Sequence, residues 1–137
     1  MLPAMTSTGS GIDRLAVAAG AIRLASGVSF LVAPEAANRL WGDRAEPDAT
    51  ASLLLRSMGY RDALVGGLLL AAGLRGSRTT AGWFLASAGA DAADLLGGIA
   101  NHDRMTRDQQ MRGLGGAAVG IVVGVLGALR AARSRRA

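Results

Sequence analysis

"LLLRSMGYRDALVGGLLLAAGL", residues 53–74, is an apolar run long enough to cross a bilayer, with Arg56, Arg61 and Asp62 set inside it. A helix rises about 1.5 Å per residue, so this stretch matches the ~30 Å hydrocarbon core. Charges at that depth are costly unless they meet partners. The fold therefore turns on where the rest of the chain supplies them.

Upstream, "IDRLAVAAGAIRLASGVSFLVA" (12–33) is a second apolar run, broken in its middle by Arg23 alone and ended by Pro34. Downstream, "TAGWFLASAGADAADLLGGIA" (80–100) carries Asp91 and Asp94. The last run, "GLGGAAVGIVVGVLGAL" (113–129), has no polar side chain at all, whereas a soluble helix would keep a polar stripe. These runs predict an all-α integral membrane bundle of four transmembrane helices at about 12–33, 51–74, 80–100 and 110–131, forming a single membrane domain over 1–137. Asp48 or Thr50 is the expected start of the second span, and the Gly76 region its end. Of the connections, "PEAANRLWGDRAEPDAT" (34–50) is polar, with Trp41 as an interfacial anchor, and "NHDRMTRDQQMR" (101–112) is read as a short surface helix.

Composition agrees. Hydrophobic residues are 50% of the chain and the 20 glycines lift the apolar share to about 65%, against roughly 45–50% in soluble domains. Only 4% is aromatic, so the apolar surface is the Ala, Leu, Gly and Val mixture that lets membrane helices approach closely. The net charge of +5 comes from arginine alone, spread over segment ends and apolar runs rather than gathered on one face with aromatics, which excludes a nucleic-acid partner. With no cysteine there is no disulfide framework, thiolate nucleophile or Cys metal site. No basic residue precedes Arg14, which argues against a cleaved secretory signal.

Four spans place both termini on one side. Arg14, Arg75, Arg78, Arg130, Arg133, Arg135 and Arg136 then lie on that side, against Arg39, Arg44, Arg104, Arg107 and Arg112 on the other. The excess predicts a multi-pass protein of the plasma membrane with cytoplasmic termini. The closing "RAARSRRA" (130–137) is expected beside anionic headgroups.

The intramembrane charges are Arg23, Arg56, Arg61, Asp62, Asp91 and Asp94, three of each sign at roughly one depth, so the layer is formally neutral. Facing lipid, six such charges would cost roughly 15–20 kcal/mol, more than the ~5–15 kcal/mol stability of a typical fold. They must face one another. Asp91 and Asp94 share a helix face, ready to receive guanidinium groups from other spans. Arg56 and Arg61 are about 140° apart around their helix, so Arg23 and one of these two are expected to meet the Asp pair. The other pairs with Asp62 of a neighbour or snorkels. Gly59, Gly66 and Gly73 in the second span, and Gly116, Gly120, Gly124 and Ala128 at strict four-residue spacing in the fourth, are expected to bring the helices together.

"RSMGYRDALVGGLLL" (56–70), with "IRLASGVSFLVAPE" (22–35) before it and "ADAADLL" (90–96) after it, resembles a family of uncharacterised small four-helix integral membrane proteins frequent in actinobacteria. The shared features are an Arg-then-Gly first helix ended by Pro, an R-x-x-G-x-R-D second helix and an Asp in the third. The resemblance implies that Arg23, Arg56, Gly59, Arg61, Asp62 and Asp94 are the matching positions. It covers about residues 12–130 and implies no known activity.

The charged layer is expected to be an ion-pair network that fixes helix register. The function expected is an accessory or structural membrane component, not an enzyme, with the lipid bilayer as partner together with a second copy or another membrane protein. The rival is a small proton-coupled transporter or membrane enzyme using Asp91 and Asp94, since arginine cannot release a proton. No cofactor or metal is expected: D-x-x-D could hold Mg²⁺, but here arginines neutralise it. "GLGGAA" (113–118) formally matches a dinucleotide fingerprint but follows no strand. His102, alone in a loop, is expected to be solvated.

Overall fold

The computed structural model describes residues 11–41 and 46–137; the side chain of Trp41, Arg44 and the first ten residues lie outside the described part. Among the described residues there are five helices and no strand. They are α1 (Arg14–Val32), α2 (Pro34–Trp41), α3 (Ala49–Arg75), α4 (Thr80–Ala100) and α5 (Arg107–Arg133), the last with a π turn over Gln110–Leu114.

Local chemistry sets the ends. The Asp13 carboxylate accepts the Ala16 N–H at 3.1 Å and starts α1. Pro34, which has no N–H, stops α1 and opens α2 at a position where that donor is not needed. Asp48 caps α3, accepting from Ala51 N–H at 2.7 Å. At the other end Gly76 adopts the left-handed conformation with φ 57°, and the Ser77 N–H reaches back to the Ala72 carbonyl at 2.9 Å. The chain then turns tightly into α4. After α4, a 3-10 turn over His102–Arg104 leads to a capping box in which Thr106 and Gln109 satisfy each other's N–H groups at 2.9 and 3.2 Å. The polar 101–112 connection is thus this turn plus the first turns of α5.

The long helices pack as two antiparallel pairs, α1 with α3 and α4 with α5, joined mainly by α3 against α4. The α1/α3 seam is lined by Gly20 and Gly27 on one side and Gly59, Gly66 and Gly73 on the other, both sets repeating every seven residues. A Cβ at Gly27 would run into the backbone nitrogen of Ala63, and one at Gly59 would sit 2.6 Å from the Leu31 nitrogen. Gly20 and Gly66 oppose each other in the same way: a Cβ on either would sit 2.8 to 2.9 Å from the other's carbonyl oxygen. A seven-residue repeat keeps one seam facing its partner, so these glycines hold two backbones in contact along the whole crossing.

The α4/α5 seam uses a different stripe. Gly124 lies against Ala88, whose Cβ is 2.7 Å from where a Gly124 Cβ would be, and Gly127 lies under the ring of Phe84. Gly120 meets the Asp91 carboxylate. Of the four-residue ladder expected from Gly116 onward, Gly120 and Gly124 lie in the seam and Ala128 is buried, whereas a Cβ on Gly116 would meet open space. With 3.6 residues per turn, each four-residue step drifts about 40° around the helix, so the four positions from Gly116 to Ala128 spread over about 120° and the seam keeps Gly120, Gly124 and Ala128.

The centre is small. Ala16, Leu69, Phe84 and Ala128 form the buried apolar cluster. Larger aliphatic side chains, including Ile22, Leu54, Val119 and Leu126, stand exposed at 60 to 69%. Two helices, α1 and α5, are long and apolar enough to cross a membrane, and only 22% and 28% of their apolar windows is buried.

Candidate functional site

The interior layer is built on three helices. Arg23, at mid-α1, sends its two terminal nitrogens to the two oxygens of Asp91 on α4, both at 2.9 Å. The Arg23 Nη1 also donates to Ser87 Oγ at 2.8 Å, one turn before Asp91 on α4, and Nη2 to Asp62 Oδ1 at 3.1 Å on α3. Arg61 repeats the pattern one step further out. Its Nε donates to the same Asp62 oxygen at 3.1 Å, while Nη1 and Nη2 grip Asp94 at 2.9 and 2.8 Å.

The result is a chain, Asp91 to Arg23 to Asp62 to Arg61 to Asp94, in which each outer carboxylate takes a fork of two parallel hydrogen bonds. Both contacts on Asp62 fall on Oδ1. The two ends differ in burial. The side chains of Arg23, Asp62 and Asp91 are 13 to 15% exposed, whereas Arg61 is 34% and Asp94 40% exposed. Arg23 Nε is buried and has no hydrogen-bond partner, the one such side-chain atom among the described residues.

Of the six charges expected in one neutral layer, five form this chain. Arg56 does not join. It donates to the Leu31 carbonyl at 3.0 Å, one of the last carbonyls of α1, which no later helical N–H can reach. The helix C-terminus therefore takes Arg56, and the remaining two guanidiniums face three carboxylates, leaving the chain with a formal charge of −1 instead of zero. Ser87 was not anticipated, although its place four residues before Asp91, on the same helix face, could have signalled it.

Two grooves reach the chain. One, of about 740 Å³, lies at the end bearing the α2–α3 connection, is walled by Ala51, Leu54 and Met58 of α3, and has Arg61 and Asp94 among its lining residues. The other, of about 410 Å³, runs between α1 and α5 with Phe84, Ser87 and Asp91 of α4 in its lining, and takes in Arg23 and Asp62. Gly116, off the helix seam, lines this second groove.

Elsewhere the candidates are quiet. Among the described residues no three His, Cys, Asp or Glu side chains gather to hold a metal ion. "GLGGAA" falls in the π turn and first turns of α5, with no strand before it among the described residues. The His102 Nδ1 lies 2.8 Å from the Ile99 carbonyl and its Nε2 2.8 Å from Asp103, on an exposed turn.

No curated protein and no solved structure matches the chain. A family model described as a domain of unknown function (DUF4267) matches residues 20–129, a stretch that begins before Arg23 and takes in every member of the Arg/Asp chain as well as Arg56, and the protein belongs to that family.

Proposed function

We propose that the protein is a four-span integral membrane protein, an accessory or structural component whose Arg/Asp chain pins three helices in register. One observation carries this reading: charge is enclosed between the helices while large aliphatic side chains face outward. Arg23, Asp62 and Asp91 are nearly buried, while Ile22, Leu54, Val119 and Leu126 point outward at 60 to 69% exposure. In water that distribution exposes many large aliphatic side chains and encloses charge; in lipid both choices are favourable. α3 and α4 take their places as spans because the charges that lower their hydropathy are spent on one another. Both termini and the α3–α4 turn then share the arginine-rich side, assigned to the cytoplasm. The test is extraction: the protein resists alkaline carbonate and needs detergent, whereas release into the carbonate supernatant would end the membrane reading.

A second reading rests on a separate observation. Both grooves end on a chain with one carboxylate in excess. In this reading Asp91 and Asp94, together with Asp62, serve proton or cation coupling in a small transporter or membrane enzyme. Proteoliposomes with an internal pH dye would favour it if proton uptake disappears in a folded Asp94→Asn variant.

A further inference from the structure

The arginine-rich end holds a third feature that the Arg/Asp chain does not use. A groove of about 390 Å³ runs along the start of α4, floored by Gly82, Trp83 and Ala86, with Arg78 from the α3–α4 turn and Arg135 from beyond α5 at its rim. A Cβ on Gly82 would meet open space, so the floor is low there. Trp83 is half-buried in the first turn of α4, and both arginines are exposed. No carboxylate lines the groove, and among the described residues neither Arg78 nor Arg135 takes part in an ion pair. Asp13, the acidic residue at this end among the described ones, lies 4.0 Å from Arg130 instead.

We propose that this groove is a binding site for one anionic phospholipid, its phosphate held between Arg78 and Arg135 and its acyl chain laid along Gly82 and Ala86 beside Trp83. The inference rests on the membrane reading and deepens it. Trp83 sits where an indole belongs, at the level of the headgroups, with the charged rim on its aqueous side. Guanidinium groups free of carboxylates suit a phosphate oxygen in a fork of hydrogen bonds. Each arginine near an anionic leaflet strengthens the attraction about fivefold, so two at one groove favour an anionic headgroup by up to about 25-fold.

The full chain carrying Trp41→Phe, with Trp83 as its sole tryptophan, is reconstituted in phosphatidylcholine vesicles containing about one-tenth brominated lipid. Brominated phosphatidylglycerol is expected to quench Trp83 several-fold more than brominated phosphatidylcholine at the same fraction. Arg78→Gln with Arg135→Gln abolishes that preference with the thermal midpoint unchanged, while Arg104→Gln with Arg107→Gln leaves it intact. Equal quenching by the two lipids, or a preference that survives the Arg78/Arg135 double change, overturns the site and leaves the membrane reading standing. Displacement by inorganic phosphate beyond that by chloride at equal ionic strength overturns it in favour of a free-anion site. Quenching by neither lipid overturns the membrane reading itself.

Discussion

Arg23 on α1 and Asp91 on α4 face each other squarely, each terminal nitrogen of the guanidinium 2.9 Å from one carboxylate oxygen. α1 and α4 are not the closely packed neighbours in this molecule, α1 lying on α3 and α4 on α5, so the pair ties together two helix hairpins that glycine contacts alone would leave separate. Asp91→Asn breaks this fork and leaves Arg23 to Asp62 and Ser87. The change is expected to destabilise the protein by about 1.5–3 kcal/mol, seen as a fall in the thermal midpoint in detergent. Asp94→Asn, at the exposed end of the same chain, is expected to cost about 1 kcal/mol or less. Equal midpoints for the two variants would mean that burial does not grade the network.

The pair also makes a double-mutant test. Arg23→Leu leaves the buried Asp91 carboxylate without its guanidinium, whereas Arg23→Leu with Asp91→Leu removes both sides of that contact and leaves Asp62 to Arg61. The double variant should be more stable than Arg23→Leu alone, with a coupling of about 1–3 kcal/mol between the two sites. Additive losses would show that each residue acts through other partners.

Glycine substitutions separate the seams from the groove. Gly27→Ala drives a methyl into the backbone of α3 at Ala63 and should cost about 1–3 kcal/mol or more. Gly116→Ala, which enters open space, should leave stability unchanged or raise it by up to about 1 kcal/mol through helix propensity. Thermal melts of the two variants side by side decide the point.

Arg56 offers a third contrast. Its hydrogen bond to the Leu31 carbonyl is a single contact at an exposed helix end, so Arg56→Gln should cost about 0.5–1.5 kcal/mol. Arg61→Gln breaks contacts to both Asp62 and Asp94 and should cost more. A reversed order would place Arg56, not Arg61, in the network.

Much of the fold was legible because it is written in local chemistry. Pro34, Asp48 and Gly76 stop and start helices by what their backbones and side chains can donate, and all three do so where their neighbours suggest. The charged side chains in apolar runs announced that they must meet inside, and Asp91 and Asp94 three residues apart announced a shared face. The choice between Arg56 and Arg61 was hidden, since it depends on where the last carbonyls of α1 fall beside α3. Gly20 and Gly27 carry a similarly faint signal: two glycines seven apart in one helix mean little without the packing that sets them against Gly59, Gly66 and Gly73 of the same period. The four-residue ladder of α5 is legible in Gly120, Gly124 and Ala128, but four residues overshoot a helical turn, so Gly116 does not share their contact face.

Accessibility mapping tests the four-span reading most directly, and the absence of native cysteine makes the background clean. Single cysteines at Ser77, Asp103, Ser134 and the outward-facing Val122 would be probed in intact cells with a membrane-impermeant thiol reagent, before and after permeabilisation. Cysteines at Ser77 and Ser134 should be labelled only after permeabilisation, that at Asp103 before it, and that at Val122 in neither case without detergent. Labelling of Asp103 on the same side as Ser77, or free labelling of Val122 in water, would contradict four spans enclosing the Arg23–Asp91 layer.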